Sequence, residues 1–186
     1  MQVMAEEEMW KHMAKLQSRF NTVWGSRDLW TYNADDAQKK IRLESLNNMV
    51  RQTGRYQAMR DERLGILLQK IRDEYDLDLS DWDIDNMVQE SAKAGRISKL
   101  VSGKAITADK GRKYKDIMSG DYWDELASSY KLFQKDITRE MNTPVDMMVF
   151  DYNDAGEKKV VMTPLDSIKY HRRFMQTGIL AIDPKT

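Results

Sequence analysis

The chain has 186 residues, of which 41% are hydrophobic and 32% charged, which suits one domain of ordinary size or two small ones. Its 30 basic and 30 acidic residues cancel to a formal net charge of zero, which argues against a general nucleic-acid binder but leaves room for a local basic patch. The absence of cysteine excludes disulfides and thiolate zinc sites, and no apolar run approaches the roughly 20 residues of a membrane span.

The first 75 residues are expected to form three helices, at 2–24, at about 34–51 and at about 55–75. Apolar residues recur in each at three- and four-residue intervals, which is the pattern of an amphipathic helix. Gly25 ends the first helix, and Gly54 or the preceding threonine ends the second. The expected inward residues are Met9, Met13, Leu16, Phe20 and Trp24, then Ile41, Leu43, Leu46, Met49 and Val50, then Met59, Leu64, Leu67, Leu68 and Ile71.

The middle of the chain is expected to contain two more helices separated by a loop. Ser80 is typical of a helix N-cap, with Asp83 three residues later as its capping-box partner, and this helix continues to about Lys93. Residues 102–113 form the most loop-like stretch of the sequence. A further helix is predicted over 121–141, where Trp123, Leu126, Tyr130, Phe133 and Ile137 follow helical spacing.

The last 45 residues have a different pattern. Residues 145–152 and 157–162 are strand-like and flank a turn signal at 153–156, which predicts a β-hairpin. Thr163 and Pro164 begin a helix that is expected to reach about Thr177, and residues 179–183 form a short apolar strand. The expected fold class is therefore α+β and predominantly α-helical, with a helical region at 1–141 and a small hairpin–helix–strand element at 142–186.

Fragments of catalytic motifs occur, and each has a simpler structural interpretation. His12 shares a helix face with Glu8, but the H-E-x-x-H pattern is absent, and His171 lies far away in sequence. Ser128 and Lys131 match S-x-x-K, a short pattern that arises by chance about once in a chain of this length. It lies within an amphipathic helix without an S-D-N partner, so we expect no nucleophile there.

Two charged runs also have structural interpretations. The acidic run at 76–85 lacks the glycine at position six and the glutamate at position twelve of a calcium-binding EF-hand loop, so a solvated turn with a helix cap is the better interpretation. The basic residues Lys104, Lys110, Arg112, Lys113 and Lys115 could meet phosphate, but they lack P-loop spacing, and a mobile charged loop is favoured. We therefore expect no catalytic residue, no cofactor-binding residue and no metal ligand in this chain.

A family resemblance is carried by both ends of the chain. The segments 141–150, 162–170, 174–178 and 181–186 resemble the region just before the transpeptidase domain of class A bifunctional penicillin-binding proteins, especially those of Bacteroidetes-type bacteria. The start, with Met1, Gln2, Ala5, Glu6 and Glu7 followed by His12, Met13, Leu16 and Gln17, is similar to the segment after their glycosyltransferase domain. Residues 25–120 show little similarity to the family and are interpreted as a helical insertion of variable character. The two ends together bracket the interdomain region of that family.

The resemblance implies that the catalytic groups of the family lie elsewhere. The catalytic glutamates of the glycosyltransferase would lie upstream, and the acylated-serine, S-x-N and K-T-G boxes would lie downstream. Lys185 and Thr186 supply two letters of K-T-G, but the resemblance places them on the strand that enters the transpeptidase region, so no role is transferred to them. By the same reasoning Ser128 and Lys131 fall before the transpeptidase domain and have no catalytic role.

The expected function is that of a non-catalytic spacer of a peptidoglycan synthase, which holds the glycosyltransferase and transpeptidase domains at a set distance and orientation and could dock cell-wall accessory proteins. Its expected partners are these flanking domains, without nucleic acid and without a membrane span in this segment. The parent, a bifunctional glycosyltransferase/D,D-transpeptidase, would lie at the periplasmic face of the inner membrane, anchored by a segment outside this chain. The alternative is a stand-alone helical regulatory or phage-type protein-binding module.

Overall fold

The computed structural model describes residues 2–176, and within them it contains eight helices and one two-stranded antiparallel sheet. This confirms the predicted α+β, mostly helical fold class. No helix in this part of the chain combines the length and apolar character needed to cross a membrane. In chain order the elements are α1 (Gln2–Trp24), α2 (Asp36–Arg51), α3 (Gly54–Tyr75), α4 (Asp81–Ala92), α5 (Arg96–Ser102), α6 (Ala108–Ser119), α7 (Trp123–Asn142), β1 (Val145–Phe150), β2 (Glu157–Met162) and α8 (Pro164–His171).

The chain divides into two compact units. One, here called the split unit, consists of Met1–Gln52 together with Glu140–Thr186, and the other, the inserted unit, consists of Thr53–Arg139. The split unit is therefore built from both ends of the chain, and the inserted unit is continuous in sequence. The predicted domain boundary between residues 141 and 142 stays a prediction.

The split unit contains α1, α2, the hairpin and α8. The strands β1 and β2 pair in one register from Val145 opposite Met162 to Phe150 opposite Glu157. Thr163 caps α8 by accepting a hydrogen bond from the backbone N–H of Asp166, and Pro164 occupies the first turn, as the sequence predicts. Its most buried side chains are Met13, Gln17, Leu46, Met141 and Val149.

The inserted unit contains α3 to α6 and most of α7 around an apolar core. Leu64, Ile71, Ile84, Leu126 and Phe133 are each 0% exposed. All five residues predicted to point inward from the helix over 121–141 are buried, because their three- and four-residue spacing keeps them on one face.

The predicted loop at 102–113 is wrong in its second half. Residues from Ala108 onward form α6, whose N-cap is Thr107, and its side-chain oxygen accepts the N–H of Lys110. Gly111, which in the sequence suggests a break, lies where α6 meets α5, and an added Cβ would come within 2.7 Å of Val101 Cγ2. Its lack of a side chain permits close packing of the two helices, and this tertiary contact outweighs the low helix propensity of glycine.

The structure also differs from the sequence-based expectations in the burial of α2, at the end of α8 and at α5. Ile41 and Leu43 of α2 are 66% and 44% exposed, so the predicted apolar face of this helix is only partly buried. The last helix ends at His171 and not near Thr177. The short helix α5 was not predicted, and the predicted strand at 179–183 lies outside the described residues.

Candidate functional site

The split unit joins α1 to the hairpin and α8 through a cluster of aromatic rings. Trp10 of α1 makes edge-on contacts with Phe150 and Tyr152, at ring-centroid distances of 5.7 and 5.1 Å. Phe174 contacts Phe150 at 5.2 Å and Tyr170 of α8 at 4.9 Å. These five residues are called the aromatic junction below. Edge-to-face packing stabilises such contacts beyond the area they bury, so the junction fixes the hairpin against α1.

A set of hydrogen bonds beside the aromatic junction connects the same two parts of the chain. The Gln17 side chain is 3% exposed; its Nε2 donates to the carbonyl of Arg173 at 3.1 Å, and its Oε1 accepts the N–H of Met175 at 2.9 Å. The Arg173 guanidinium donates to the carbonyls of Gly25 and Arg27 at 3.1 and 2.7 Å. This group, here called the Gln17 bridge, holds residues that lie more than 140 positions apart in sequence.

Both the aromatic junction and the Gln17 bridge were missed by sequence reasoning. Gln17 follows Met13 by four residues and therefore lies on the apolar face of α1, where a polar side chain must find a partner if it is buried. This was the available signal. Nothing local to residues 150–175 indicates which distant helix they contact.

The inserted unit has a buried polar network at the start of α4. Ser80 and Asp83 form the predicted capping box, in which Ser80 Oγ accepts the N–H of Asp83, and Asp83 Oδ2 accepts the N–H of Ser80 at 2.8 Å. Lys110 forms a salt bridge with Asp83 at 2.8 Å, and the Tyr114 hydroxyl donates to the same carboxylate. A helix cap is confirmed here, and Asp76 and Asp78 of the turn before it are exposed as predicted. The carboxylate of the cap is not solvated, because Asp83 is 2% exposed.

Asp81 connects the same network to α3. Its carboxylate accepts the Tyr56 hydroxyl at 2.5 Å and the Arg60 Nε at 2.7 Å, and it is 8% exposed. Arg60 also donates to the carbonyl of Leu79 at 2.8 Å. Buried carboxylates are stabilised only when they are paired and hydrogen-bonded, and both conditions are met here.

The electrostatics of the network follow from this pairing. Burial raises the pKa of Asp83, but the hydrogen bonds from Lys110, Tyr114 and Ser80 together outweigh it, so this pKa lies below its ordinary value. Burial and the hydrogen bond to Asp83 raise the pKa of Tyr114 well above its usual range. At neutral pH the network therefore contains an ionised carboxylate and a neutral phenol, an arrangement that stabilises the fold.

The two histidines belong to the split unit and take no part in this network. His12 lies on the exposed side of α1. The His171 ring lies with Nδ1 2.7 Å from the carbonyl of Ser167, and its Nε2 accepts the N–H of Phe150 at 3.4 Å. His171 thus connects the end of α8 to the end of β1.

The S-x-x-K string lies on the solvent-exposed side of α7. Ser128 Oγ donates to the carbonyl of Glu125 at 3.1 Å, and both Ser128 and Lys131 are exposed. A serine nucleophile needs a base within hydrogen-bond reach, and Ser128 is instead bonded to its own helix.

The charged runs have separate structural roles. Lys110 is paired with Asp83, Lys113 donates to the carbonyl of Asp76 at 2.7 Å, and Arg112 pairs with Asp109. Among the residues that the structure describes, no group of three or more His, Asp or Glu side chains is placed to hold a metal ion. That the chain contains no catalytic, cofactor-binding or metal-binding residue stays a prediction.

The chain is a mostly helical module, and the contacts described above connect secondary-structure elements within each of its units. Residues 110–175 match the family model of the penicillin-binding protein middle domain, a stretch that begins in α6 and includes all of α7, the hairpin and α8. The match confirms the predicted resemblance to an interdomain region of a penicillin-binding protein. It covers about a third of the chain.

No curated protein and no solved structure matches the chain significantly. A middle domain implies flanking domains in the same polypeptide, and this part of the expected partner set is therefore supported. The match does not distinguish class A from other penicillin-binding proteins, and it does not test the Bacteroidetes-type affiliation.

Proposed function

We propose that this chain is a non-catalytic interdomain segment of a class A bifunctional peptidoglycan synthase, which spaces and orients the glycosyltransferase and transpeptidase domains. The observation that carries the proposal is the match of residues 110–175 to the middle domain, combined with the Gln17 bridge and the aromatic junction. These contacts hold the helix that would follow the first catalytic domain to the segment that would lead into the second.

The physical basis of the spacing role is stiffness. A helix of 23 residues such as α1 spans roughly 35 Å at about 1.5 Å per residue. Its contacts with the hairpin and residues 173–175 fix the direction of this rod relative to the exit of the chain. A flexible linker of similar length would leave the two catalytic domains free to reorient.

The rest of the proposal concerns the parent protein. The parent takes part in cell-wall synthesis at the periplasmic face of the inner membrane, anchored by a segment that precedes this chain. The inserted unit is available for docking accessory cell-wall proteins. No bond-making step belongs to this chain, and incubation with labelled penicillin is expected to leave it unmodified, whereas a stoichiometric adduct at Ser128 would contradict this.

The spacing role is tested in the full-length parent with Trp10→Ala. We expect glycan polymerisation and acylation by labelled penicillin to stay at wild-type levels, while the fraction of cross-linked peptides in newly made peptidoglycan falls several-fold. Trp82→Ala, at a tryptophan that is 41% exposed in the inserted unit, is the matched control and should not change cross-linking.

Two outcomes would contradict the spacing role. Unchanged cross-linking in Trp10→Ala, with the aromatic junction shown by hydrogen exchange to be disrupted, would exclude it. A natural reading frame without wall-building domains on either side of this segment would exclude the parent and favour the stand-alone binding module.

A further inference from the structure

One stretch of the inserted unit is strongly basic although the whole chain is electrically balanced. Residues 93–115, which contain α5 and most of α6, carry eight basic side chains and a single acidic one, Asp109. The sequence alone indicated a mobile charged loop from Lys104 to Lys115, but the two helices pack closely at Gly111 and present the charges on a fixed surface. The basic residues are Lys93, Arg96, Lys99, Lys104, Lys110, Arg112, Lys113 and Lys115.

Four of these cations bond to named partners, and the charge of a fifth, Lys115, adds to the backbone hydrogen bonds that lower the pKa of the Glu90 carboxylate. Lys110 and Lys113 bond to the acidic run, Arg112 pairs with Asp109, and Arg96 donates to the Asn86 side chain at 2.7 Å. The other four lysines are exposed and form no salt bridge with any described residue. They are Lys93, Lys99, Lys104 and Lys115.

Three of these four lysines border two depressions that lie on either side of α5. The first, of about 360 Å³, is lined by Lys93, Arg96 and Lys99. The second, of about 380 Å³, has a floor that includes Ile97, Val101 and Gly111 and a rim that includes Arg112 and Lys115. An apolar floor with a cationic rim suits an apolar side chain flanked by carboxylates.

We propose that this α5–α6 surface, defined by the eight basic residues of 93–115 and the two depressions, binds an acidic polypeptide segment of a partner protein. An apolar side chain of that segment occupies the second depression, and its carboxylates meet Lys99, Arg112 and Lys115. The proposal deepens the docking part of the proposed function and rests on it only for the cellular source of the segment.

Other anionic partners fit this surface less well. The large hydrophobic residues exposed elsewhere in the described chain are missing from 93–115, whereas surfaces that dock onto lipid bilayers insert such side chains. Tyr114 is the sole aromatic residue of the stretch and is 0% exposed, so it cannot stack on nucleic-acid bases. Concave depressions on both sides of a helix favour a narrow chain over a flat sheet of headgroups.

The test measures binding of this chain to a fluorescein-labelled synthetic peptide of about 12 residues with alternating glutamate and leucine, by fluorescence anisotropy. We expect saturable binding, with amide chemical-shift changes concentrated at residues 96–115. Raising the salt from about 50 to about 300 mM should weaken this binding, because exposed ion pairs are screened.

A pair of variants separates a local surface from a general charge effect. Lys99→Glu/Lys115→Glu should weaken peptide binding by about tenfold or more. Lys131→Glu/Lys135→Glu changes the net charge equally at two exposed lysines of α7 and should leave the affinity within about twofold of wild type. Circular dichroism should show both variants to be folded as the wild type is.

Three results would overturn the inference. The first is the absence of peptide binding. The second is an equal loss of affinity in both double variants. The third is binding of the protein to phosphatidylglycerol vesicles without binding to the peptide. None of them would bear on the spacing role, which is read from cross-linking in the Trp10→Ala parent.

Discussion

The two units of this chain are stabilised by contacts of different kinds. In the split unit, hydrogen bonds and contacts between aromatic rings join residues that are distant in sequence. Trp10 bonds to Asn153, 143 positions away, and Gln17 bonds to Met175, 158 positions away. In the inserted unit, buried carboxylates bond across 21 to 31 positions, as from Arg60 to Asp81 and from Tyr114 to Asp83. The first unit therefore needs both ends of the chain to fold, whereas the second can form from a continuous segment.

The difference also separates two roles for polar side chains. Gln17 satisfies backbone groups of a distant segment and thereby determines which parts of the chain meet. Asp83 satisfies the start of its own helix and one lysine from α6, and so it determines how neighbouring helices pack. The spacing function proposed for the chain depends on the first role and not on the second.

The largest expected effect is that of Phe133→Ala in the inserted unit. Phe133 is 0% exposed and packs edge-on against Tyr56 at 5.1 Å, so its truncation should cost about 3–5 kcal/mol of unfolding free energy. Urea unfolding measures this loss. Its neighbour Leu132 is 60% exposed, and Leu132→Ala should change the unfolding free energy by less than about 0.5 kcal/mol. Similar losses in the two variants would show that the assigned core of α7 is wrong.

An intermediate effect is expected of Asp83→Asn. The change leaves the Lys110 ammonium partly buried without its counter-charge, and we expect a loss of about 3 kcal/mol at pH 7. Asp78→Asn is the matched control, since Asp78 is 78% exposed and pairs with Arg72 at the surface; its loss should stay within about 1 kcal/mol.

The pH dependence of stability sharpens the same prediction. The pKa of Asp83 lies below its ordinary value of 3.8 in the folded protein, so its contribution is complete above that value and disappears as the pH falls through the lower, folded-state pKa. Between about pH 5 and pH 2 the wild type should therefore lose stability more steeply than Asp83→Asn. Parallel curves in urea titrations across this range would contradict the assigned ionisation.

The smallest of the three effects is expected of Gln17→Ala in the split unit. The variant leaves the carbonyl of Arg173 and the N–H of Met175 without their partner, at a cost of about 1–3 kcal/mol. Hydrogen exchange should show faster exchange of the Met175 amide and little change in α4. Ser18→Ala, at an exposed position next to it, should leave that amide protected, and equal exchange in the two variants would mean that the Gln17 bridge does not hold the two ends together.

The elements that could be predicted are those whose signals are local. The spacing from Trp123 to Ile137, the Ser80–Asp83 capping box and the turn at 153–156 each involve residues a few positions apart, and the structure confirms all three. The hairpin followed directly from its turn residues and flanking strands.

The features that could not be predicted depend on distant partners. α6 was interpreted as loop because Gly111 and its charged neighbours suggest solvent, whereas contacts with Val101 and Asp83 make the segment helical. Ile41 and Leu43 were assigned to a buried face because their spacing is compatible with one, yet the structure leaves them exposed. Periodicity shows that a face exists, but which faces are covered is decided by tertiary packing.

The Gln17 bridge has a mechanical consequence. A force that pulls the first helix away from residue 176 is carried first by the hydrogen bonds of Gln17 and Arg173. The polypeptide between these residues is loaded only after those bonds break. Residues 53–139, which form the inserted unit, contribute no residue to these hydrogen bonds. The length and composition of the inserted unit can therefore change in evolution without changing the distance that the split unit spans.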